Sequence, residues 1–442
     1  MLLVHRSPAP APHPWHRNRR RCECSAGGAA PDDYRHAIDA AATAELWQAV
    51  SAQPASPPPV ALARTRLGRG LVATRDLCPG EVVVSVPLEH CLAVDAGPGA
   101  DARLARLLLD ALGGKQSFWR LYNDAVLPRH TGAAALWEPE QAEELQWPPA
   151  VDDALAARLE FRGLAARMGG PHTMEAKLWA LSIVHSRSFA TPTGLRVLAP
   201  LCDLVNNEQL PAATVASDVD DMSPWSVSDG RFELAATTAC PAGAELLMFY
   251  GHETTSALLI SYGFVPGTNP ADYLCLYADV EELCDDDSFE CCAPDSPGTA
   301  SRKRAMLWGA DAAAAPLAVR PGPLSACAHL LGALRVLHCP AHLLPWLEER
   351  HDEHVGHAVW HWRHGAGHAE ERQQVDARAL QHAVLLARRK LDGMPTTLDA
   401  DRASLAGTTE PVELVAALRF RLGVKETLAR FIATADTVNA LE

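Results

Sequence analysis

The order of segments along the chain predicts an α+β fold of small sheets rather than a doubly wound one. Short strand signals stand on both sides of a long helical stretch, a second helical stretch closes the chain, and no regular β–α alternation joins them. No G-x-G-x-x-G follows a strand, and neither a P-loop nor a G-x-S-x-G elbow occurs. Rossmann, P-loop and serine-hydrolase sites therefore have no support.

The first thirty residues run Met-Leu-Leu-Val, then carry Arg6, Arg17, Arg19, Arg20 and Arg21. Glu23 is their only acid, and small residues fill Ser25–Ala30. An Arg-rich, acid-poor start predicts an organelle transit peptide over 1–30, with a tail lacking any address as the alternative. Composition does not separate plastid from mitochondrion. Asp32–Val50 reads as a short helix with Ile38, Leu46, Trp47 and Val50 apolar, and Ser51–Pro59 as a Pro-rich spacer. Strand signals dominate Leu71–Val86, where Val82, Val83, Val84 and Val86 are closed by Pro87. Ala102–Ser182 turns helical, with Leu104, Leu107, Leu108 and Leu112 expected on one face. Strand signals return at Leu195–Leu201, Phe232–Ala236 and Glu245–Tyr250. Beyond Pro270 the pattern is helical, apart from a polar, loop-like stretch at Asp285–Arg304.

A length of 442 residues exceeds one ordinary core, and 48% hydrophobic with 21% charged residues is the balance of a soluble globular protein. No apolar run reaches the ~20 residues of a membrane helix. A formal charge of −15 argues against nucleic acid and suits a partner that presents lysine, or serves solubility alone. The 12 cysteines form no metal or disulfide ladder. Cys22 with Cys24 and Cys291 with Cys292 are the close pairs, which suits a reducing compartment. His351, His354, His357, His361, His364 and His368 recur every three or four residues. Gly356, Gly365 and Gly367 weaken that helix, so a solvated polar face is expected there rather than a metal site.

Taken singly, the short motifs are bland. Gly68-Arg69-Gly70-Leu71 suits a tight turn, Asp203–Asn207 suits a cap or a strand end, and Tyr250-Gly251 and Tyr262-Gly263-Phe264 suit buried aromatics beside turns. As an ordered set they are more specific. Gly68–Asp76, Pro79-Gly80-Glu81 and Val84–Pro87 resemble the opening of a SET domain. Ser186-Arg187-Ser188-Phe189, Leu198–Asn207, Ala242–Leu246, Tyr250-Gly251 and Leu258–Phe264 resemble its closing half. Phe118–Tyr122, Leu127-Pro128 and Trp137, with Pro395–Asp401, Leu418–Arg421 and Lys425–Leu428, are similar to the Rubisco large-subunit methyltransferase branch. The resemblance spans roughly 45–435.

It implies small curved sheets with one segment threaded beneath another, a rare exception to unknotted chains. The implied limits are an N-terminal helix and linker over 31–60, a SET domain over 61–268 with a helical insert at about 93–180, and a helical substrate-binding domain over 269–442. The implied activity is S-adenosylmethionine-dependent lysine N-methylation of a stromal protein such as the Rubisco large subunit or aldolase. The expected form is a monomer in the chloroplast stroma, with no nucleic acid, membrane or metal partner. Tyr250 matches the family's catalytic tyrosine. Gly68, Arg69, Gly70, Arg187, Asn206, Asn207, Tyr262, Gly263 and Phe264 match its cofactor contacts. Asp203, Tyr250 and Tyr262 match its substrate contacts. The chain departs from the family at Asn207, where the family carries His, at Leu67, where an acid is common, and at Thr255, where Asn is usual. A histidine methyltransferase and a non-catalytic binding module stay open as alternatives.

Overall fold

The structure, a computed structural model, describes residues 40–50, 58–114, 118–208, 225–236, 238–285, 296–309, 317–348, 367–409 and 411–439. The proposed transit peptide, residues 32–39 of the first helix, most of the spacer, Cys22, Cys24, Cys291, Cys292 and His351–His364 lie outside the described residues. The chain forms two compact units. The first comprises 1–129, 168–208 and 215–250, and the second 130–167, 209–214 and 251–442.

The first unit opens with helix Ala40–Val50, where Leu46 and Val50 are buried as the periodicity predicts. Its strands are β1 (Val60–Thr65), β2 (Gly68–Ala73), β3 (Val82–Pro87), β4 (Leu92–Asp95), β5 (Ser188–Ala190), β6 (Leu195–Leu198), β7 (Asn206–Asn207), β8 (Trp225–Ser228), β9 (Arg231–Ala235) and β10 (Leu247–Met248). They form small antiparallel sheets β1–β2, β3–β9–β8 and β4–β6–β5, and one parallel pair, β7–β10. In β3 the register shifts between Val82 and Val84, so consecutive residues Val83 and Val84 are both buried and Val82 faces out.

Helix Ala100–Gly113 packs on helix Met174–Arg187. The buried face of the former is Leu104, Ala105, Leu108 and Leu109; Leu107, expected there, is exposed. Helix Met174–Arg187 starts at Thr173, whose hydroxyl accepts from Ala176 N at 3.2 Å. It ends with Arg187, a cation placed where the helix dipole favours it. Ala180–Val184 are buried all round, so this helix is a central strut that fixes where Arg187 emerges.

The second unit is helical around one apolar cluster. Helix Ala328–His338 buries Leu330, Leu331, Ala333, Leu334 and Val336, and helices Ala369–Asp392 and Val412–Asn439 add Ala383, Leu386, Leu428 and Phe431. Two short strands, β11 (Leu274–Tyr277) and β12 (Leu317–Val319), interrupt the helical pattern expected beyond Pro270. The stretch read as a loop up to Arg304 is corrected by helix Pro297–Gly309. Its Pro-Gly start looks like a breaker, but Pro297 occupies the first turn, where no N–H is needed. Ser296 Oγ caps Thr299 N at 3.2 Å, and Leu307 is buried.

Two polar clusters sit inside this unit. Asp401 is fully buried and accepts from Lys425 Nζ, from Arg421 Nε at 2.9 Å and from Thr396 Oγ1 at 2.7 Å; Arg421 also pairs with Glu144 at 2.7 Å. Elsewhere Tyr277 Oη meets His382 Nε2 at 3.0 Å, and His382 Nδ1 meets His338 Nε2 at 2.9 Å. Burial, reinforced by His382, Lys303 and Arg378, pushes His338 down to about 3, so its ring is neutral at neutral pH. Among the described residues no helix is long and apolar enough to cross a membrane, and no three His, Cys, Asp or Glu side chains converge as a metal site.

Candidate active site

The centre of the first unit is the turn and strand from Leu201 to Asn207. Leu201 is fully buried at φ 68°, a left-handed conformation costly for a branched side chain. Its N–H donates to Tyr122 Oη at 3.0 Å, and Tyr122 in turn donates to Asp203 Oδ1. Tyr122, on helix Phe118–Ala125, thus holds both the strained turn and the carboxylate beyond it. From the end of its helix Arg187 Nη1 donates to Asp203 O at 3.0 Å and to Asp203 Oδ2 at 3.2 Å.

Burial pushes the Asp203 carboxyl above its ordinary value although Arg187 and Tyr122 oppose the shift. Burial, and after it Asp203, pushes the Tyr122 phenol well up. Burial lowers Arg187, but the charges of Asp203, Tyr122 and Tyr250 outweigh it and the guanidinium ends above its ordinary value. Arg69 is pulled down by burial and then by Arg187. Arg187 is paired with Asp203, while Arg69 feels that carboxylate only as the last of several influences.

Gly70, in β2, is where the backbone must come close. A Cβ there would lie 2.5 Å from Glu245 Oε1 and 2.9 Å from Asn206 Nδ2. Asn206 Nδ2 donates to Arg69 O at 3.1 Å and to Glu245 Oε1 at 2.7 Å, and Thr65 Oγ1 also donates to that carboxylate oxygen at 2.9 Å. The amide hydrogens of Asn206 are thereby committed to protein partners, and its Oδ1 is what the side chain can offer a ligand. Asn207 Oδ1 accepts from Tyr250 N at 3.0 Å, and Tyr250 Oη donates to Val205 O at 2.6 Å. Gly68 turns the chain between β1 and β2 at φ 114°.

Tyr262, Gly263 and Phe264 belong to the second unit. Thr254 Oγ1 caps helix Thr255–Tyr262 by accepting from Ala257 N at 3.2 Å, and Gly263 closes it at φ 79°. A Cβ on Gly263 would collide with Thr131 O and lie 2.6 Å from Gly132 C, so only glycine fits. The Tyr262 and Phe264 rings flank it, 6.2 Å apart and tilted by 61°. Thr255 stands where the family carries Asn. Its N–H and hydroxyl both donate to Asp272, each at 2.6 Å, and Asn269 Nδ2 reaches Thr255 Oγ1 at 3.3 Å.

The expected residues thus fall into two groups. Gly68, Arg69, Gly70, Arg187, Asp203, Asn206, Asn207 and Tyr250 lie in the first unit, and Tyr262, Gly263 and Phe264 in the second. Sequence reasoning passed over Tyr122, Thr65 and Glu245 as site residues. Tyr122 and Glu245 stood inside motifs already singled out, but their partners are 81 and 39 residues away.

No family model matches the chain. It is 28% identical to the chloroplastic [fructose-bisphosphate aldolase]-lysine N-methyltransferase of Arabidopsis thaliana over 229 residues, 46% of this chain and 47% of that protein. It is 25% identical to the chloroplastic ribulose-1,5-bisphosphate carboxylase/oxygenase large subunit N-methyltransferase of Nicotiana tabacum, over 49% of each chain. The actin-histidine N-methyltransferase of Mus musculus is 25% identical over 46% of this chain and 39% of its own. The chain spans about half the length of these curated relatives. Among solved structures, the SET domain of LSMT bound to lysine and AdoHcy superposes with a TM-score of 0.58 at 19% identity, covering 89% of this chain and 90% of that one. Rubisco LSMT bound to AdoMet gives a TM-score of 0.56 at 18% identity, over 90% and 92%. The structural likeness gives the chain the fold of the LSMT SET domain, with α+β architecture and a helical C-terminal region.

Proposed function

We propose that the chain is an S-adenosylmethionine-dependent protein-lysine N-methyltransferase. The observation that carries this reading is Tyr250: its hydroxyl is anchored on Val205 O at 2.6 Å and lies within electrostatic reach of the Arg187–Asp203 pair, inside a SET fold. The donors present suit the cofactor. Arg187, with part of its side chain exposed, offers a planar guanidinium to the cofactor's own carboxylate, Asn206 Oδ1 can accept, and Gly70 lacks the Cβ that would crowd its neighbours. S-adenosylmethionine, when bound, supplies a methyl group activated by its sulfonium.

The remaining work falls to this chain's residues. A lysine must lose its proton first, which costs roughly 4 kcal/mol between a pKa near 10.4 and pH 7.5; desolvation lowers that cost. Tyr250, having donated to Val205, offers its oxygen to an amine N–H and so aims the nitrogen lone pair. Asp203 is committed to Arg187 and Tyr122, and its role is to hold Arg187 in place while the backbone of 203–207 lines the site. In the second unit, Tyr262, Gly263 and Phe264 keep the cofactor and substrate roles that the resemblance implies, and the helical region beyond 269 is the proposed substrate-binding domain.

The chloroplast is the proposed compartment, supported by the basic, acid-poor first thirty residues and by the chloroplastic relatives, with a stromal protein of the Rubisco large-subunit or aldolase type as substrate. Likeness to an actin-histidine N-methyltransferase favours a histidine target as the second reading. Radiolabelled methyl transfer into stromal extract, followed by mass spectrometry of the labelled band, separates them. A methylated lysine is expected. A methylated histidine ring selects the second reading, and absence of both transfer and calorimetric cofactor binding rejects the enzyme in favour of a binding module.

A further inference from the structure

Tyr250 is gripped at both ends by one short segment. Its hydroxyl donates to Val205 O at 2.6 Å, and its backbone N–H donates to Asn207 Oδ1 at 3.0 Å. Val205 and Asn207 are two residues apart, and Asn206–Asn207 form β7, which pairs in parallel with β10 immediately before Tyr250. Glu208 N adds a bond to Met248 O at 3.0 Å. Backbone pairing sets the height of the tyrosine along the strand, but it ends at Met248, two residues short. The Asn207 side chain carries the pairing on to Tyr250 itself.

From this we infer that Asn207 is a positioning residue: its side-chain oxygen fixes the Tyr250 backbone, so that the phenol presents one orientation to the target amine. The inference rests on reading Tyr250 as the catalytic residue, and it turns the Asn207 side chain from a cofactor contact into a clamp. An amide oxygen suits that task because it accepts without titrating. The departure from the family's histidine is then a working substitution.

Asn207→Leu, similar in size but without an acceptor, and Asn207→Asp, which keeps one, test this. With the full-length protein, Asn207→Leu should lower kcat roughly ten- to a hundredfold, as misplacement of a reacting group does, while the calorimetric Kd for S-adenosylmethionine stays within about threefold. Asn207→Asp should return kcat to within about threefold of the parent. Exchange of the Tyr250 amide hydrogen, followed by NMR on tyrosine-labelled protein, should be about fivefold faster in the Leu variant and near parental in the Asp variant. Should Asn207→Leu not fold, Asn207→Ala carries the same expectations. Unchanged kcat in the Leu variant, an Asp variant as slow as Leu, or a larger loss in Kd than in kcat would each overturn the clamp. If the parent transfers no methyl group, the functional reading fails, and amide exchange still decides whether Asn207 holds Tyr250.

Discussion

Asp203 in the first unit and Asp401 in the second are both carboxylates removed from water beside an arginine, yet they settle in opposite directions. Burial raises both. At Asp401 the hydrogen bonds from Lys425, Thr396 and Arg421 outweigh it and the carboxyl ends below its ordinary value; at Asp203 burial wins over Arg187 and Tyr122. The donors explain the contrast. Asp401 accepts from three side chains, Lys425, Arg421 and Thr396, and both Asp401 and Lys425 are fully buried. Asp203 accepts from two, Arg187 and Tyr122, and the Arg187 side chain keeps 20% of its surface exposed. The closed Asp401–Lys425 pair stabilises a fold, whereas the more open Arg187 can receive a ligand.

Four experiments break or sharpen that contrast. Tyr250→Phe should reduce methyl transfer by ~10²–10⁴-fold while stability falls by only about 1 kcal/mol, the cost of the lost bond to Val205 O. A loss of stability well beyond that would place Tyr250 with the structural groups. Lys425→Met removes one cation from the closed cluster, and denaturant unfolding should show a loss of about 3–5 kcal/mol with cofactor Kd unchanged. Arg187→Lys keeps the charge but loses the planar fork, and calorimetry should find cofactor binding about tenfold weaker. The smallest effect concerns His338, whose ring is neutral beside His382. The folded His338 titrates near 3, whereas an unfolded histidine titrates near 6.5, so the unfolded chain takes up a proton that the folded one refuses as pH falls. Stability should drop by about 1 kcal/mol between pH 6.5 and 5.5, and His338→Gln should flatten that slope.

What the sequence made legible was local or ordered along the chain. Leu46 and Val50, the valines of β3 and the run Leu258–Phe264 all declared themselves through periodicity or motif. Strands β4, β11 and β12, of three or four residues, are too short for an alternation to register. The helix at Pro297–Gly309 was hidden because a starting Pro-Gly and a breaking Pro-Gly look alike in one dimension. The proposed site residues were named wherever a motif held them. Their partners did not: nothing in the spelling of Phe118–Tyr122 says that Tyr122 will cap a strained leucine and a carboxylate some eighty positions on. Equally, the two committed hydrogens of Asn206 depend on Arg69 and Glu245 arriving from opposite directions along the chain.

The parallel pairing of β7 with β10 has a consequence in time. Its partners, Asn206 with Leu247 and Asn207 with Met248, lie about forty positions apart, and parallel strands cannot be joined by a tight turn. Closing that loop costs entropy before any contact repays it, so the pair forms slowly compared with the helices around it. On a chain emerging from the ribosome, residues 201–207 must wait for Tyr250 before either end of the tyrosine finds its acceptor. The site proposed around Tyr250 therefore assembles after the helical strut of its own unit, and a nascent chain stalled short of residue 250 holds that strut without the two bonds of the tyrosine.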